Sequence, residues 1–152
     1  MSSFESVEEL RAAYAAVRSL THAEIAARLT LARRNPHERA KWHSKAAHAQ
    51  RVGVAWGRIG HAIARLLDEE SDEPVRLDSE QIAADFAIVK KFLDNEVVMR
   101  EKLMRLHQTQ AWRTKLSDAK TAVEALENVQ DWFYAAVQPG ELMPAPVQAS
   151  LF

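Results

Sequence analysis

From Pro36 to about Leu67 the chain keeps an unbroken helical pattern, and within it Ala46, Ala49, Gly53, Gly57, Gly60 and Ala64 fall in one narrow stripe. At about 100° per residue those positions stack along a single side of the helix. Small side chains there let a neighbouring helix come close, so the stripe predicts a tight helix crossing; a dimer seam is its other possible use. Trp42, Trp56, Ile63 and Leu67 flank the stripe and are expected to seal its edges. Gly53 and Gly57 have the G-x-x-x-G spacing, but Arg51 and Arg58 bracket them, whereas the membrane form of that motif needs a continuous apolar segment.

Elsewhere the chain also reads as helix, with no sustained two-residue alternation to suggest strands, so the expected fold is all-α. Ser6-Val7-Glu8-Glu9 has the form of a capping box and opens a first helix toward Leu20. Thr21-His22-Ala23-Glu24 repeats the device and predicts a second helix. Asn35-Pro36 ends that helix and starts the long one, since asparagine suits an N-cap and proline the first turn. The stretch Asp68 to Glu80 carries seven acidic residues against Arg76 alone, and with Pro74 it reads as a solvated connection. Asp78 or Ser79 then caps a helix to about His107, with Ile82, Phe86, Val89, Phe92, Leu93, Val97, Leu103 and Leu106 at helical spacing. After a break near Gln108 to Gln110, a last helix presents Trp112, Leu116, Ala119, Val123, Leu126, Phe133 and Val137. Trp132, Phe133 and Tyr134 are consecutive, so at least one must leave the core face. The expected architecture is an antiparallel bundle of three long helices plus an N-terminal helical pair. Residues 1–138 form the helical domain and residues 139–152 an extended, proline-containing tail. No internal repeat is evident along the chain.

Composition excludes several kinds of chemistry. With 152 residues, 47% of them hydrophobic and 27% charged, the chain can bury one core. The absence of cysteine removes disulfides, thiolate metal sites and cysteine nucleophiles together. His37, His43, His48 and His61 lack the three- or four-residue spacing that two ligands on one helix need, and no Glu-x-x-His motif occurs. There is no nucleophile-elbow frame and no glycine-rich phosphate loop. The expectation is a protein that is not an enzyme and uses no metal or cofactor. No segment approaches the roughly 20 apolar residues of a membrane span, and the stretch Met1 to Ser6 has no secretory character, which predicts a cytoplasmic protein.

A formal net charge of -1 gives no global attraction to nucleic acid, so any electrostatic function must be local. Arg33, Arg34, Arg39, Lys41, Lys45 and Arg51 stand against Glu38 alone, with His37, His43, His48 and Trp42 among them. Clustered Lys and Arg suit phosphates and an exposed aromatic can stack on a base, making these six residues the candidate DNA-binding set. Farther along, Arg51, Arg58 and Arg65 recur every seven residues on one helix side. The alternative is a solvated face whose arginines pair with Glu124, Glu127 and Asp131 of the last helix. The segment Leu20 to Leu31 resembles the first helix of a helix-turn-helix, with Thr30 and Asn35-Pro36 departing from the pattern. That resemblance offers a DNA-binding regulator as one functional reading.

The chain ends Gln148-Ala149-Ser150-Leu151-Phe152, after a stretch containing Pro139, Gly140, Pro144 and Pro146. This pentapeptide resembles the motif by which bacterial replication and repair proteins dock on the DNA polymerase sliding clamp. Gln148, Ser150, Leu151 and Phe152 match; Ala149 departs where leucine is usual, which implies weaker binding. Leu151 and Phe152 suit an apolar pocket with Gln148 at its rim. Folding back onto the protein's own core is the other fate open to such an end. The resemblance implies a protein partner, the clamp, and a role in DNA replication or repair or in their inhibition, in a bacterium or a bacterial virus or plasmid. The leading expectation is therefore a non-enzymatic helical adaptor. A structural subunit that forms a homo-oligomer through the small-residue stripe and the apolar tail is the alternative.

Overall fold

Local hydrogen bonding sets where each helix begins. In the computed structural model, which describes residues 4–68, 76–137 and 142–143, the Ser6 hydroxyl accepts from the Glu9 amide at 3.2 Å and starts α1, Val7–Arg34. A 3₁₀ turn over Pro36–Glu38 leads into α2, Arg39–Leu67. Asp78 Oδ1 accepts from the amides of Glu80 and Gln81 at 3.0 and 3.1 Å, opening α3, Ser79–His107. Gln108 is left-handed at φ 45° and turns the chain, and the Thr109 hydroxyl accepts from the Trp112 amide to start α4, Gln110–Ala136. The fold is all-α. Leu77–Asp78, β1, makes a two-residue parallel pairing with Leu142–Met143, β2, which ties the segment after α4 to the start of α3.

The expected N-terminal pair of helices is instead one continuous helix. Thr21 is fully buried and its hydroxyl donates to the Val17 carbonyl at 2.9 Å, one turn back, so it sits mid-helix and caps nothing. That continuity also removes the helix-turn-helix: Leu20 to Leu31 is the middle of α1, with no turn near Thr30. Four helices of 27 to 29 residues therefore form an up-down-up-down bundle in which each helix packs on the next and α1 closes on α4.

Aromatic stacking organises the core. Tyr14 of α1 stacks on Trp56 of α2 at 4.9 Å and 13°, Trp56 meets Phe86 of α3 edge-on, and Phe86 meets Phe133 of α4 at 5.7 Å. The Tyr14 hydroxyl donates to the Trp56 carbonyl and the Trp56 indole donates to the Tyr14 carbonyl, both at 3.0 Å, so this buried pair leaves no polar group unmet. Of the consecutive aromatics, Phe133 is buried and Tyr134 turns outward.

The small-residue stripe is used only in part. Ala46 and Ala49 are buried, a Cβ added at Gly53 would stand in ordinary contact, 3.7 and 3.8 Å, with Ile25 and Thr21, and one added at Gly60 would run into Tyr14. Gly57 and Ala64 face outward, and nothing stands within 4 Å of a side chain added at Gly57. The crossing with α1 runs along one edge of the stripe, because the buried face of α2 is centred on Val52, Trp56, Ile59 and Ile63. Trp42 does not seal the stripe, since it sits outside the main core.

An internal repeat, not evident in the sequence, emerges from the packing. Residues of α3 occupy positions equivalent to residues of α1 lying 72 places earlier: Ser6 and Asp78 both cap, and Leu10, Tyr14, Val17 and Leu20 correspond to Ile82, Phe86, Val89 and Phe92. Each of these pairs faces the core. α4 follows α2 at an offset of 70, matching Trp42 with Trp112, Lys45 with Lys115 and Ala49 with Ala119. The bundle is thus two similar helical hairpins related by a quasi-two-fold axis along its length.

Candidate nucleic-acid interface

The most symmetrical feature is a ring of charge between the main core and the end of the bundle where α1 meets α2 and α3 meets α4. Arg28 Nε donates to Glu24 Oε1 at 3.1 Å on its own helix and Nη2 to Glu96 Oε2 at 3.2 Å on α3. Arg100 does the same in reverse, with Nε to Glu96 Oε1 and Nη2 to Glu24 Oε2, both 3.2 Å. The four side chains close a loop of charge-assisted hydrogen bonds across the diagonal of the bundle. Each arginine spends its remaining nitrogen on the following helix: Arg28 Nη1 donates to the Lys45 carbonyl and Arg100 Nη1 to the Lys115 carbonyl, both at 2.8 Å.

Electrostatically the ring is neutral and saturated. Burial pushes the Glu96 carboxyl above its ordinary range, the neighbouring Glu24 adds to this, and Arg100 and Arg28 partly offset it. Nothing in the ring is left over to hold a ligand. Its effect is mechanical: it fixes the backbone of α2 and α4 at Lys45 and Lys115. Beyond it Ala32, Ala46 and Leu116 are buried outside the main core.

The last turns at this end form a strongly basic tip. The first hairpin brings Arg33, Arg34, Arg39, Lys41 and Lys45, and the second brings Lys102, Arg105, Arg113 and Lys115; all nine are exposed. Glu38 and Glu101 are the acids among them, and their contacts to Lys41 and Arg105 are long, 3.9 Å each. The remaining seven cations have no carboxylate within 4 Å among the described residues. Two tryptophans lie among these charges. Lys41 and Lys45 stand 5.2 and 4.9 Å from the centre of the Trp42 indole, whose Nε1 donates to Glu38 at 3.3 Å. Lys115 stands 4.5 Å from the Trp112 ring, which also stacks on His107.

Five of the six candidate residues, Arg33, Arg34, Arg39, Lys41 and Lys45, are gathered at this tip. Arg51 is not; it lies six residues farther along α2, on the flank of the bundle. Arg58 is also elsewhere, gripping the buried Asp85 of α3 at 2.7 and 2.9 Å, so its partner is on α3 and not on the last helix. Glu127 pairs with Lys90 instead. The second hairpin's share, Lys102, Arg105, Trp112, Arg113 and Lys115, escaped sequence reasoning although one signal was available: Glu24-x-x-x-Arg28 recurs as Glu96-x-x-x-Arg100 and Trp42-x-x-Lys45 as Trp112-x-x-Lys115, at nearly the same offset.

The quasi-symmetry breaks at the other end. An open groove of about 450 Å³ lies between α2 and α3, floored by Gly57, Ala62, Leu77 and Ile82 and edged by the Arg58–Asp85 pair. The equivalent positions of α4 are filled by Glu127 and Trp132. Surroundings there are acidic, with Glu5, Glu8, Glu9, Asp68, Asp78 and Glu80 against Arg11, Arg65 and Arg76.

Among the described residues no group of three or more His, Asp or Glu is placed to share a metal ion, and no helix is long and apolar enough to cross a membrane. The terminal residues Gln148, Ser150, Leu151 and Phe152 lie outside the described residues. No family model, curated protein or solved structure matches the chain.

Proposed function

We propose that the protein is a non-enzymatic adaptor of bacterial DNA replication or repair, encoded by a bacterium or its virus or plasmid, which holds DNA at its basic tip and docks on the sliding clamp through Gln148, Ser150, Leu151 and Phe152. The observation that carries the DNA half is the tip, where nine exposed cations from two hairpins stand against two glutamates while the whole chain has a net charge of -1. Phosphates need clustered, unpaired Lys and Arg on a rigid support. The clamp half rests on the resemblance of the terminal pentapeptide. α4 starts at the tip and ends at Ala136, so its 27 residues carry the chain roughly 40 Å along the bundle, at 1.5 Å per residue, before the segment that leads to the pentapeptide begins.

A bridging assay tests this. Labelled partial-duplex DNA is passed over beads carrying purified clamp, with and without the full chain. Retention is expected only with the protein present, and it is lost either with Leu151→Ala plus Phe152→Ala or with charge reversal of Lys45 and Lys115. Direct clamp capture that survives the tail substitutions contradicts the docking role.

A further inference from the structure

The tip holds two indole faces as well as charge, and we propose that its preferred ligand is single-stranded nucleic acid, whose bases stack on Trp42 and Trp112 while the flanking lysines take the phosphates. This deepens the assignment of the tip as a nucleic-acid interface and rests on it. Of the four tryptophans, Trp56 and Trp132 pack in or against the main core; Trp42 and Trp112 do not, so packing of that core does not account for them. They are equivalent under the quasi-two-fold, and each has a lysine three residues on, near its ring. The Glu–Arg ring anchors the carbonyl of that same lysine in both hairpins. Two matched indole–ammonium stations are thus held on fixed backbone at one end of a rigid bundle.

Their chemistry selects the ligand. Both indoles are half-buried, an ammonium near such a partly open face is weakly held, and a nucleobase competes well for it because base stacking on an aromatic is the stronger contact. The displaced lysine, on its flexible stem, stays within reach of the phosphate of the stacked nucleotide. A duplex presents phosphates to the same cations but keeps its base faces stacked on one another, leaving both indoles unused. A single strand engages charge and ring together.

The test titrates the full chain with a thymidine 20-mer and with a 20-base-pair duplex at equal salt, reading anisotropy of the labelled oligonucleotide and the protein's tryptophan emission. The expected result is tighter binding of the single strand, with quenching of emission. Trp42→Leu and Trp112→Leu should each weaken single-strand binding roughly tenfold and leave duplex binding unchanged. Trp→Phe at either site should restore most of the loss, which separates stacking from misfolding. Equal affinity for the two ligands, or single-strand binding indifferent to both leucine substitutions, overturns the stacking proposal and leaves the basic tip standing as a duplex interface. Failure to bind either oligonucleotide overturns both.

Discussion

Single residues show how finely the α1–α2 contact is set. A methyl group at Gly60 would run into the Tyr14 hydroxyl and ring, while one at Gly57 meets nothing within 4 Å. Glycine in a helix costs roughly 0.5–1 kcal/mol against alanine, so Gly57→Ala should raise unfolding stability by about that amount. Gly60→Ala must displace Tyr14 from its stack on Trp56 and should lower stability by about 1–3 kcal/mol. Urea unfolding of the two variants checks both signs. His48 supplies a pH signature. Burial, followed by Arg51, Arg28 and Lys91, lowers its pKa from 6.5, so the folded state prefers the neutral ring. As pH falls the unfolded chain takes up the proton first, so stability present above pH 6.5 is lost as acidification proceeds toward the lowered value. Unfolding midpoints between pH 7 and 5 should fall for the wild type and fall less steeply for His48→Gln.

Among elements, the Glu–Arg ring sets the internal order of the bundle. Arg100→Met strands two partly buried carboxylates, and removing one member of such a network typically costs about 3–5 kcal/mol. Replacing Glu24, Arg28, Glu96 and Arg100 together by apolar residues of similar size should cost much less, because no charge is then left without a partner. Thermal unfolding of the single and quadruple variants distinguishes a ring from four independent surface pairs, which would show small and additive losses. Sequence reasoning recovers the elements whose signals are local. Ser6 and Asp78 cap where helices start, the chain breaks near Gln108 to Gln110, and the long helices end near His107 and Leu67, since caps and breaks act within a few residues. Thr21 misleads because a capping-box pattern inside a helix looks identical until its hydroxyl is seen bonded to Val17. The ring is invisible for another reason: each Glu-x-x-x-Arg reads alone as a solvated pair one turn apart, and only the diagonal packing of α1 on α3 joins them. Core substitutions such as Tyr14 for Phe86 and Leu20 for Phe92 hide the repeat from a scan for identical residues.

At the scale of the whole molecule, charge is divided between the two ends of the bundle. A chain that is nearly neutral overall places nine cations and two carboxylates at one end and an excess of acids at the other, so its attraction for polyanions is confined to one end. Half of that tip was legible as the run from Arg33 to Lys45. The other half was not, because Lys102 to Lys115 becomes its neighbour only when the second hairpin folds back beside the first. The central claim is that both hairpins build one phosphate-binding surface, and salt-dependent DNA binding by Lys45→Glu, Lys115→Glu and the double variant tests it most directly. Both substitutions leave the ring intact, since it holds the backbone carbonyls and not the ammonium groups. Each single change should weaken binding to a similar extent and reduce the salt slope by roughly 0.7–0.9 per lost phosphate contact, with the double variant near the sum of the two in free energy. Wild-type binding by Lys115→Glu, or an equal loss from Arg76→Glu at the acidic end, would contradict it.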